Sequence, residues 1–376
     1  MVSIAKFVGL DVHKDTICMA VVDGGPLARV NEPVTLPHDV PKLVKRLLAL
    51  APPDKLRVVY EAGPTGFGLC RDLLARDIHC IVVAPNRVPI RAGPRIKTDK
   101  RDAANLAHQL RMGALSPITL PDRELEALRD LVRAREDVLM HRRRARQQLK
   151  GFFLRNSVRF EGKSTWTKAY MLWARHVPLG SEAQKLARDS YCDRIERLDR
   201  EIESLTEHVS MIAAQLTGLH ARLYRSLQAL RGVKSIIAAT LVCELGDLCR
   251  FKSPSKLMGY LGMVSRIHAS GERVWRGSIT KCGNPHVRRV LIEAAWAGRL
   301  RPARSKLLAK RQEGLSEAVI DIAARAQKRL YKRYLSMRAR LKPQNVVIVA
   351  LARELLGFVW AIGIQAANEH AEQALA

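Results

Sequence analysis

The chain has 376 residues, enough for two or three domains, and its 47% hydrophobic and 27% charged residues exclude a disordered polymer. Lysine and arginine number 64 against 36 acids, so the net charge of +28 favours a polyanionic partner. Seven scattered cysteines without a CxxC pair argue against structural zinc and a disulfide framework, and predict reduced thiols in a cytoplasmic protein.

A membrane is a weaker candidate for the partner of this basic chain. No apolar run is expected to approach the roughly 20 residues of a spanning helix. Residues 1–6 also lack the basic region and long apolar core of a secretory signal. We therefore expect no membrane partner.

Residues 5–84 alternate between strand and helix patterns, which predicts an α/β domain with parallel strands. The first two strands are joined by a polar turn, as in a hairpin. The expected strands are residues 6–10, 16–22, 29–36, 56–60 and 79–84, and the expected helices are 40–50, 66–76 and 98–112.

Residues 121–216 show no strand pattern and no glycine before Gly151, which predicts a helical region. A heptad seam favours a coiled coil over an ordinary amphipathic helix, and pairing within the chain stays open as an alternative. Residues 151–180 are expected to form an irregular link. The seam follows alternating steps of four and three: Tyr191, Ile195, Leu198, Ile202, Leu205, Val209, Ile212 and Leu216.

The last part, residues 219–376, is predicted to be helical around one turn-rich island at 259–285. Long helical patterns follow the island at 285–300, 315–341 and 343–367. The island is recognised by its five glycines: Gly259, Gly262, Gly271, Gly277 and Gly283.

Four acids form the first candidate site. Asp11 and Glu61 lie in or directly after apolar strands, where burying a carboxylate without a partner is costly. Asp99 and Asp102 share one face of a predicted helix. Hard oxygen ligands select Mg²⁺ or Mn²⁺, and a pair of such ions suits chemistry at phosphorus. The alternative, that Asp99 and Asp102 merely cap the helix start near Thr98, is less favoured on this α/β frame.

A serine in the island is the second candidate site. Ser270 and Gly271 lie among cations, which stabilise negative charge that develops on a phosphate. By composition alone, the stronger interpretation is an ordinary turn, because Ser-Gly is a common turn dipeptide. Ser265 and Ser278 would be equally good candidates for a nucleophile. The surrounding cations are Arg266, Arg273, Arg276 and Lys281, with His268 nearby.

Basic residues cluster beside the acids, in the segment HRRRARQQLK and around the island. A solvated face explains a single charge run, but several runs in so basic a chain favour phosphate contacts. The predicted nucleic-acid-binding residues are Lys97, Lys100, Arg101, Arg142, Arg143, Arg144, Arg266, Arg273, Arg276, Lys281, Arg288 and Arg289.

The strings VGLDVHK, YEAGPTG and KTDKRDA, followed by GYLGMVSRIHASGERVWRGSITKCGNPHVRRVLIEAA, occur in this order over nearly the whole chain. The ordered set resembles the DEDD-type insertion-sequence transposases, which join a RuvC-like N-terminal domain to a C-terminal transposase domain. By this resemblance the four catalytic and metal-binding acids are Asp11, Glu61, Asp99 and Asp102, and the catalytic serine is Ser270.

The resemblance also implies a fold. An α/β RNase H-like (RuvC-like) catalytic domain is expected at 1–118, and a coiled-coil domain for oligomerisation and nucleic-acid binding at 119–218. A mainly α-helical transposase domain with the catalytic serine is expected at 219–376. One departure is that residues 151–180 are longer than a minimal linker.

The activity that the resemblance implies is that of an RNA-guided DNA transposase. It would cut and rejoin donor and target double-stranded DNA through a phosphoserine link, with Mg²⁺ or Mn²⁺ at the acids and a guide RNA from the element. Acids of one subunit would join the serine of another within a tetramer. The alternatives are a metal-dependent junction-resolving endonuclease, which would not use Ser270, and a non-catalytic RNA- or DNA-binding protein.

Overall fold

A five-stranded mixed sheet forms the centre of the first of two compact units, Met1–Leu120 and Pro121–Ala376. The computed structural model describes residues 4–25, 28–89, 98–271 and 273–375. The strand order is β3-β2-β1-β4-β5; β4 and β5 run parallel to β1, and β2 pairs antiparallel with β1 and β3. The strands are β1 (Lys6–Val12), β2 (Thr16–Asp23), β3 (Val34–Pro37), β4 (Leu56–Glu61) and β5 (Cys80–Val83).

Helices cover both faces of this sheet, because successive strand residues point to opposite sides. Val8 and Leu10 pack with α1 (Val40–Leu50) and α2 (Gly68–Leu74). The other face, which includes Gly9, packs against α3 (Asp99–Arg111). The predicted α/β domain is therefore confirmed.

Some boundaries in this unit differ from the predicted ones. The strand expected at 29–36 is largely confined to β3, preceded by a single bridge between Val22 and Val30. The helix expected at 66–76 is the shorter α2, because Gly66 lies in a turn with a φ of 69°.

Two helices of 33 residues begin the second unit, α4 (Arg123–Arg155) and α6 (Glu182–Ala214). Leu128 near the start of α4 shares a core with Val209 near the end of α6. Leu149 near the end of α4 packs with Ile195 in the first half of α6. The two helices therefore run antiparallel. The predicted irregular link at 151–180 is instead a small packed segment that holds α5 (Lys168–His176). We name it the aromatic tip, after the packed rings of Phe160, Trp166, Tyr170 and Trp173.

The heptad seam, which runs along α6 and ends two residues past it at Leu216, divides into two rows. One row is buried, largely against α4 of the same chain: Ile195, Ile202, Val209 and Leu216. The other row is only partly buried or exposed: Tyr191, Leu198, Leu205 and Ile212. The buried row therefore pairs within the chain, which is the alternative that the sequence left open.

The remaining helices pack around one large apolar core that also includes the bases of α4 and α6. The island predicted as turns contains a β-hairpin, which the sequence reading missed. In chain order the elements are α7 (Gly218–Leu227), α8 (Ser235–Leu245), α9 (Pro254–Tyr260), β6 (Ser265–Ser270), β7 (Arg273–Ile279), α10 (Pro285–Ala295), α11 (Lys306–Gln312), α12 (Glu317–Ala339) and α13 (Gln344–Leu375).

The expectation that no apolar run approaches spanning length is wrong for α13. Residues 344–374 are long and apolar enough to cross a membrane by composition. Half of the most apolar stretch is nevertheless buried within the chain, where Val347, Leu351 and Leu355 join the helical core. Burial inside a helical core accounts for the apolar character of these positions.

Candidate active site

Two of the predicted acids, Asp11 and Glu61, lie at the carboxyl ends of two neighbouring central strands of the sheet. β1 and β4 are parallel with Leu10 opposite Tyr60, so Asp11 and Glu61 are the next residues along each strand. Neighbouring residues in register point to the same face of a sheet. Asp11 and Glu61 are both partly buried, and they face the side on which α3 packs.

Gly9 brings α3 close to this face. A Cβ atom at Gly9 would lie 2.2 Å from the carbonyl oxygen of Ala103 and 2.5 Å from the amide nitrogen of Ala107. Only glycine permits such a close approach of helix and strand backbones. The first turn of α3, which carries Asp99 and Asp102, is thereby held over Asp11.

The helix cap does not require either of these two acids. Thr98 is the N-cap residue, and its side chain accepts a hydrogen bond from the amide nitrogen of Arg101. The alternative that Asp99 and Asp102 serve as caps is therefore not what the structure has. Both lie in the first turn, where the helix dipole favours negative charge.

His13 completes the cluster, and sequence reasoning gave it no role. Its Nε2 atom lies 3.4 Å from Oδ2 of Asp11 and 3.5 Å from Oδ2 of Asp99. One ligand atom from each of these three residues lies within 4.8 Å of the others. The signal was available in VGLDVHK, because a residue two positions after Asp11 returns to the same face of a strand.

The electrostatics of Asp11 connect it to both helix acids. Burial raises the pKa of its carboxyl above the usual range; Asp99 and Asp102 raise this pKa further, and His13 opposes the shift. Carboxylates that disfavour one another's ionisation gain from a shared cation. Aspartate oxygens with one imidazole nitrogen form a donor set that fits a divalent metal ion.

The predicted site residues therefore differ in how closely they meet. Asp11 and Asp99 lie together with His13, Asp102 acts on Asp11 electrostatically, and Glu61 shares the sheet edge. The basic neighbours Lys100 and Arg101 are exposed at the start of α3. Lys97 lies outside the described residues.

Ser270 ends strand β6 in the second unit. It pairs with Arg273 across the hairpin, and Gly271 follows with a φ of 57°. Directly opposite and alternate residues share a face of the ladder, so Ser270 lies on the same face as Arg273, His268 and Trp275. The rings of His268 and Trp275 are 5.6 Å apart between centroids. All four side chains are exposed.

The alternative serines lie at the base of this hairpin. Ser265 begins β6 and Ser278 is the penultimate residue of β7, whereas Ser270 lies at the tip. Ser265 and Ser278 line a separate groove beside α13. Arg266, Arg276 and Lys281 are exposed along the hairpin and its exit.

The base of the hairpin is held by a polar network. Asn284 caps α10 and donates a hydrogen bond from Nδ2 to Oε2 of Glu244, 2.6 Å away. Glu244 is buried and also pairs with Arg129 and Arg133 of α4. This network fixes where the chain leaves the hairpin relative to α4.

Two predicted phosphate-binding arginines already have partners inside the chain. A terminal nitrogen of Arg288 donates to the carbonyl oxygens of Leu261, Cys282 and Gly283 at 2.8–3.1 Å. Arg289 donates to Glu136, which also contacts His286 at 2.7 Å. Both arginines secure the start of α10.

The three arginines predicted on α4 differ in the same way. Arg142 lies 2.6 Å from Asp199 of α6, whereas Arg143 and Arg144 are exposed. The last two remain available to a partner on the surface of the second unit.

A mixed five-stranded sheet with acids at the ends of β1 and β4 and at the start of α3 is consistent with an RNase H-like domain of a metal-dependent nucleic-acid enzyme. Comparison with protein families agrees. Residues 8–156 match the model of the DEDD transposases of IS110 type, and residues 224–309 match that of the IS116/IS110/IS902 transposase family.

Individual relatives extend this similarity over most of the chain. The "Putative transposase y4qE" of Sinorhizobium fredii is 39% identical over 96% of this chain and 89% of its own length. The transposase for insertion sequence element IS1533 of Leptospira borgpetersenii is 28% identical over 89% of this chain and 97% of its own length. The chain therefore belongs to the IS110 family of transposases, enzymes that act on DNA.

Proposed function

We propose that this transposase cuts and rejoins DNA through a covalent link to Ser270, assisted by divalent ions held by Asp11, Glu61, Asp99 and Asp102. The observation that carries the proposal is the approach of Asp99 to Asp11 and His13, across the close contact of α3 with β1. A basic chain with such a cluster fits a phosphate substrate.

Mg²⁺ is the metal proposed for this site, with Mn²⁺ as its substitute. Carboxylate oxygens are the donors that Mg²⁺ prefers, and it is usually held by one or two of them together with substrate phosphates. When bound, the metal supplies charge stabilisation at phosphorus. His13 contributes a nitrogen donor or orients Asp11 and Asp99, both of which it contacts.

Ser270 is proposed as the nucleophile, with neighbours on the same hairpin face as its helpers. A free serine hydroxyl is weakly nucleophilic and requires activation. His268 is two residues away on the same face, which suits removal of the hydroxyl proton. Arg273 lies opposite Ser270, which suits stabilisation of negative charge on the phosphate oxygens.

The proposed partners are a guide RNA from the element and the donor and target DNA. The proposed location of the protein is the bacterial cytoplasm. The net charge of +28 supports a polyanionic partner of some size. Arg143, Arg144, Arg266, Arg273 and Arg276 are all exposed, which supports their assignment to phosphate contacts.

Assembly into a tetramer is proposed through the partly exposed seam row of α6 (Tyr191, Leu198, Leu205 and Ile212). Apolar residues repeated every seventh position suit a helix of another chain. Leu205→Glu should lower the molar mass measured by light scattering. The same change at Leu186, which is 64% exposed on α6 outside the row, serves as the matched control. An unchanged mass for Leu205→Glu would exclude this row as an interface.

A single gel assay tests the catalytic proposal. Protein, element RNA and end-labelled DNA are incubated with Mg²⁺, denatured, and examined for a covalent protein–DNA band. We expect the band from the wild type, its loss in Ser270→Ala, and loss of cleavage in Asp102→Asn, with nucleic-acid binding retained in both. Cleavage by Ser270→Ala at the wild-type rate would instead identify the hydrolytic, junction-resolving nuclease.

A further inference from the structure

A basic groove runs along the second half of α4, beneath the aromatic tip. Its volume is about 470 Å³. The lining residues of α4 recur at steps of three and four, so they share one face of the helix. We name this surface the α4 groove and define it by Arg142, Arg143, Arg146, Gln147, Lys150 and Trp166.

The charges in this groove are unbalanced. Four of its residues are cations, and no acid lines it within the part of the chain that the structure describes. Arg142 and Arg146 share one carboxylate, Asp199 of α6. Like charges at a spacing of four residues, as at Arg142, Arg146 and Lys150, repel one another and destabilise a helix. An anionic ligand would remove this repulsion.

Arg146 lies at the centre of the groove with unused hydrogen-bonding capacity. One terminal nitrogen is 3.4 Å from each carboxylate oxygen of Asp199, at the limit of a hydrogen bond. Its Nε atom is buried and has no hydrogen-bond partner among the described residues. Burial, reinforced by nearby Arg142, lowers the pKa of this guanidinium. A buried donor without an acceptor is costly, so an acceptor that reached this guanidinium would stabilise it.

The indole ring of Trp166 packs against the guanidinium of Arg146. The guanidinium of Arg146 lies 4.9 Å from the centre of the indole ring, a cation–π distance. Trp166 has a φ of 67°, the left-handed region that a bulky residue rarely adopts. Tyr170 packs against the indole at 4.9 Å between ring centroids. The fold therefore sustains an unfavourable backbone conformation that places the indole at the groove, a pattern typical of ligand sites.

We propose that the α4 groove binds single-stranded nucleic acid, with one backbone phosphate on Arg146 and the adjoining base against the edge of Trp166. This inference rests on the proposed function only in that the chain acts on nucleic acid. The side chain of Arg146 is 24% exposed and lies below the exposed Arg143 and Lys150. A flexible single strand reaches such a recessed cation and turns a base outward, whereas the bases of a duplex stay stacked.

Fluorescence anisotropy with a labelled single strand of about ten nucleotides, on the full-length chain, tests the groove. Arg146→Gln should weaken binding and reduce the log–log salt slope by about 0.7, the value for one phosphate on a single strand. Trp166→Leu removes the cation–π support of Arg146 and the edge contact with the base, and should weaken binding by about fivefold. The control is Arg197→Gln on α6, an exposed arginine outside the groove, which should bind within twofold of the wild type.

Competition experiments identify the ligand. Unlabelled single-stranded RNA and DNA of the same sequence, and the matching duplex, are titrated against the wild type and Arg146→Gln. Displacement by single strands at lower concentration than by duplex supports the proposal, and the better of the two single strands is the ligand. Equal displacement by duplex, or Arg146→Gln binding like Arg197→Gln, overturns it. Thermal melting of each variant separates lost binding from a misfolded tip.

The covalent-band assay distinguishes this proposal from the catalytic one. If the wild type forms the phosphoserine band but Arg146→Gln binds single strands normally, the groove proposal is rejected and the catalytic proposal stands. If the wild type forms no band but Arg146→Gln binds single strands weakly, the groove proposal stands and the catalytic proposal is rejected.

Discussion

Replacing Gly9 by alanine is expected to pull the acid cluster apart without altering any acid. The new Cβ atom would lie 2.2 Å from the backbone oxygen of Ala103. Ordinary contact begins at 3.4 Å, so α3 must withdraw by about 1.2 Å, because neither backbone can yield as a flexible side chain would. Asp99 and Asp102 move with the helix, whereas Asp11 stays with the strand.

The cost of this change has two parts. Overpacking a tight contact costs about 1–3 kcal/mol, which lowers the urea midpoint of unfolding. Metal ligands tolerate shifts of only about 0.2 Å, so a displacement about six times larger should weaken Mn²⁺ binding by tenfold or more. Electron paramagnetic resonance of Mn²⁺ titrated into the full chain measures the affinity, and the covalent-band assay measures the chemistry.

Gly68→Ala is the matched control for this experiment. Gly68 lies at the start of α2 in the same unit, and an added Cβ there would meet nothing within 4 Å. Its alanine variant should be neutral or more stable by up to about 1 kcal/mol, with unchanged Mn²⁺ affinity. If Gly9→Ala and Gly68→Ala bound Mn²⁺ equally, the close contact of α3 would not be what assembles the site.

Two predictions concern the second unit. Glu244→Gln leaves Arg129, whose side chain is 16% exposed, without its counter-charge. Because Arg129 keeps the carbonyl oxygen of Cys243 as an acceptor, urea unfolding should show a loss of about 3 kcal/mol, the low end for a broken buried ion pair. Burial opposes ionisation of Glu136, but hydrogen bonds from Arg289 and His286 outweigh it and hold its pKa below the usual range. A carboxyl group with a depressed pKa stabilises the fold at neutral pH, and this stability is lost as the pH falls through the pKa of the folded state. Below about pH 5 the urea midpoint of the wild type should therefore fall faster than that of Glu136→Gln. Parallel curves for the two proteins would contradict this.

The strands that carry Asp11 and Glu61 were predictable because buried parallel strands read as apolar runs, and the helix with Asp99 and Asp102 because it begins at a strong cap. The role of Gly9 was not predictable, since the backbone that it admits is about a hundred residues away in the chain. The β6–β7 hairpin that carries Ser270 was not predicted, for another reason. Ile267, Val274 and Trp275 are all exposed, so β6 and β7 lack the alternation of buried and exposed residues that marks a strand.

The heptad seam shows a limit of a different kind. Its spacing predicted that the helix would pair along an apolar stripe, and Ile195, Ile202 and Val209 are buried as the spacing requires. Spacing carries no information about which helix is the partner. α4 supplies that partner because the intervening residues fold back on themselves, and they contain no heptad signal.

The continuity of α4 connects the proposed binding groove to the base of the β6–β7 hairpin through a single helix. This single helix of 33 residues is about 50 Å long. In its first half, Arg133 pairs with Glu244 and Glu136 contacts His286, at the base of the hairpin. Its second half carries the α4 groove. If a bound strand displaced the tip and α4 stayed straight, the displacement would reach the ion pairs of Arg133 and Glu136 at the base of the hairpin. On the two proposals made above, a strand bound in the α4 groove would therefore act on the position of Ser270 through this one helix.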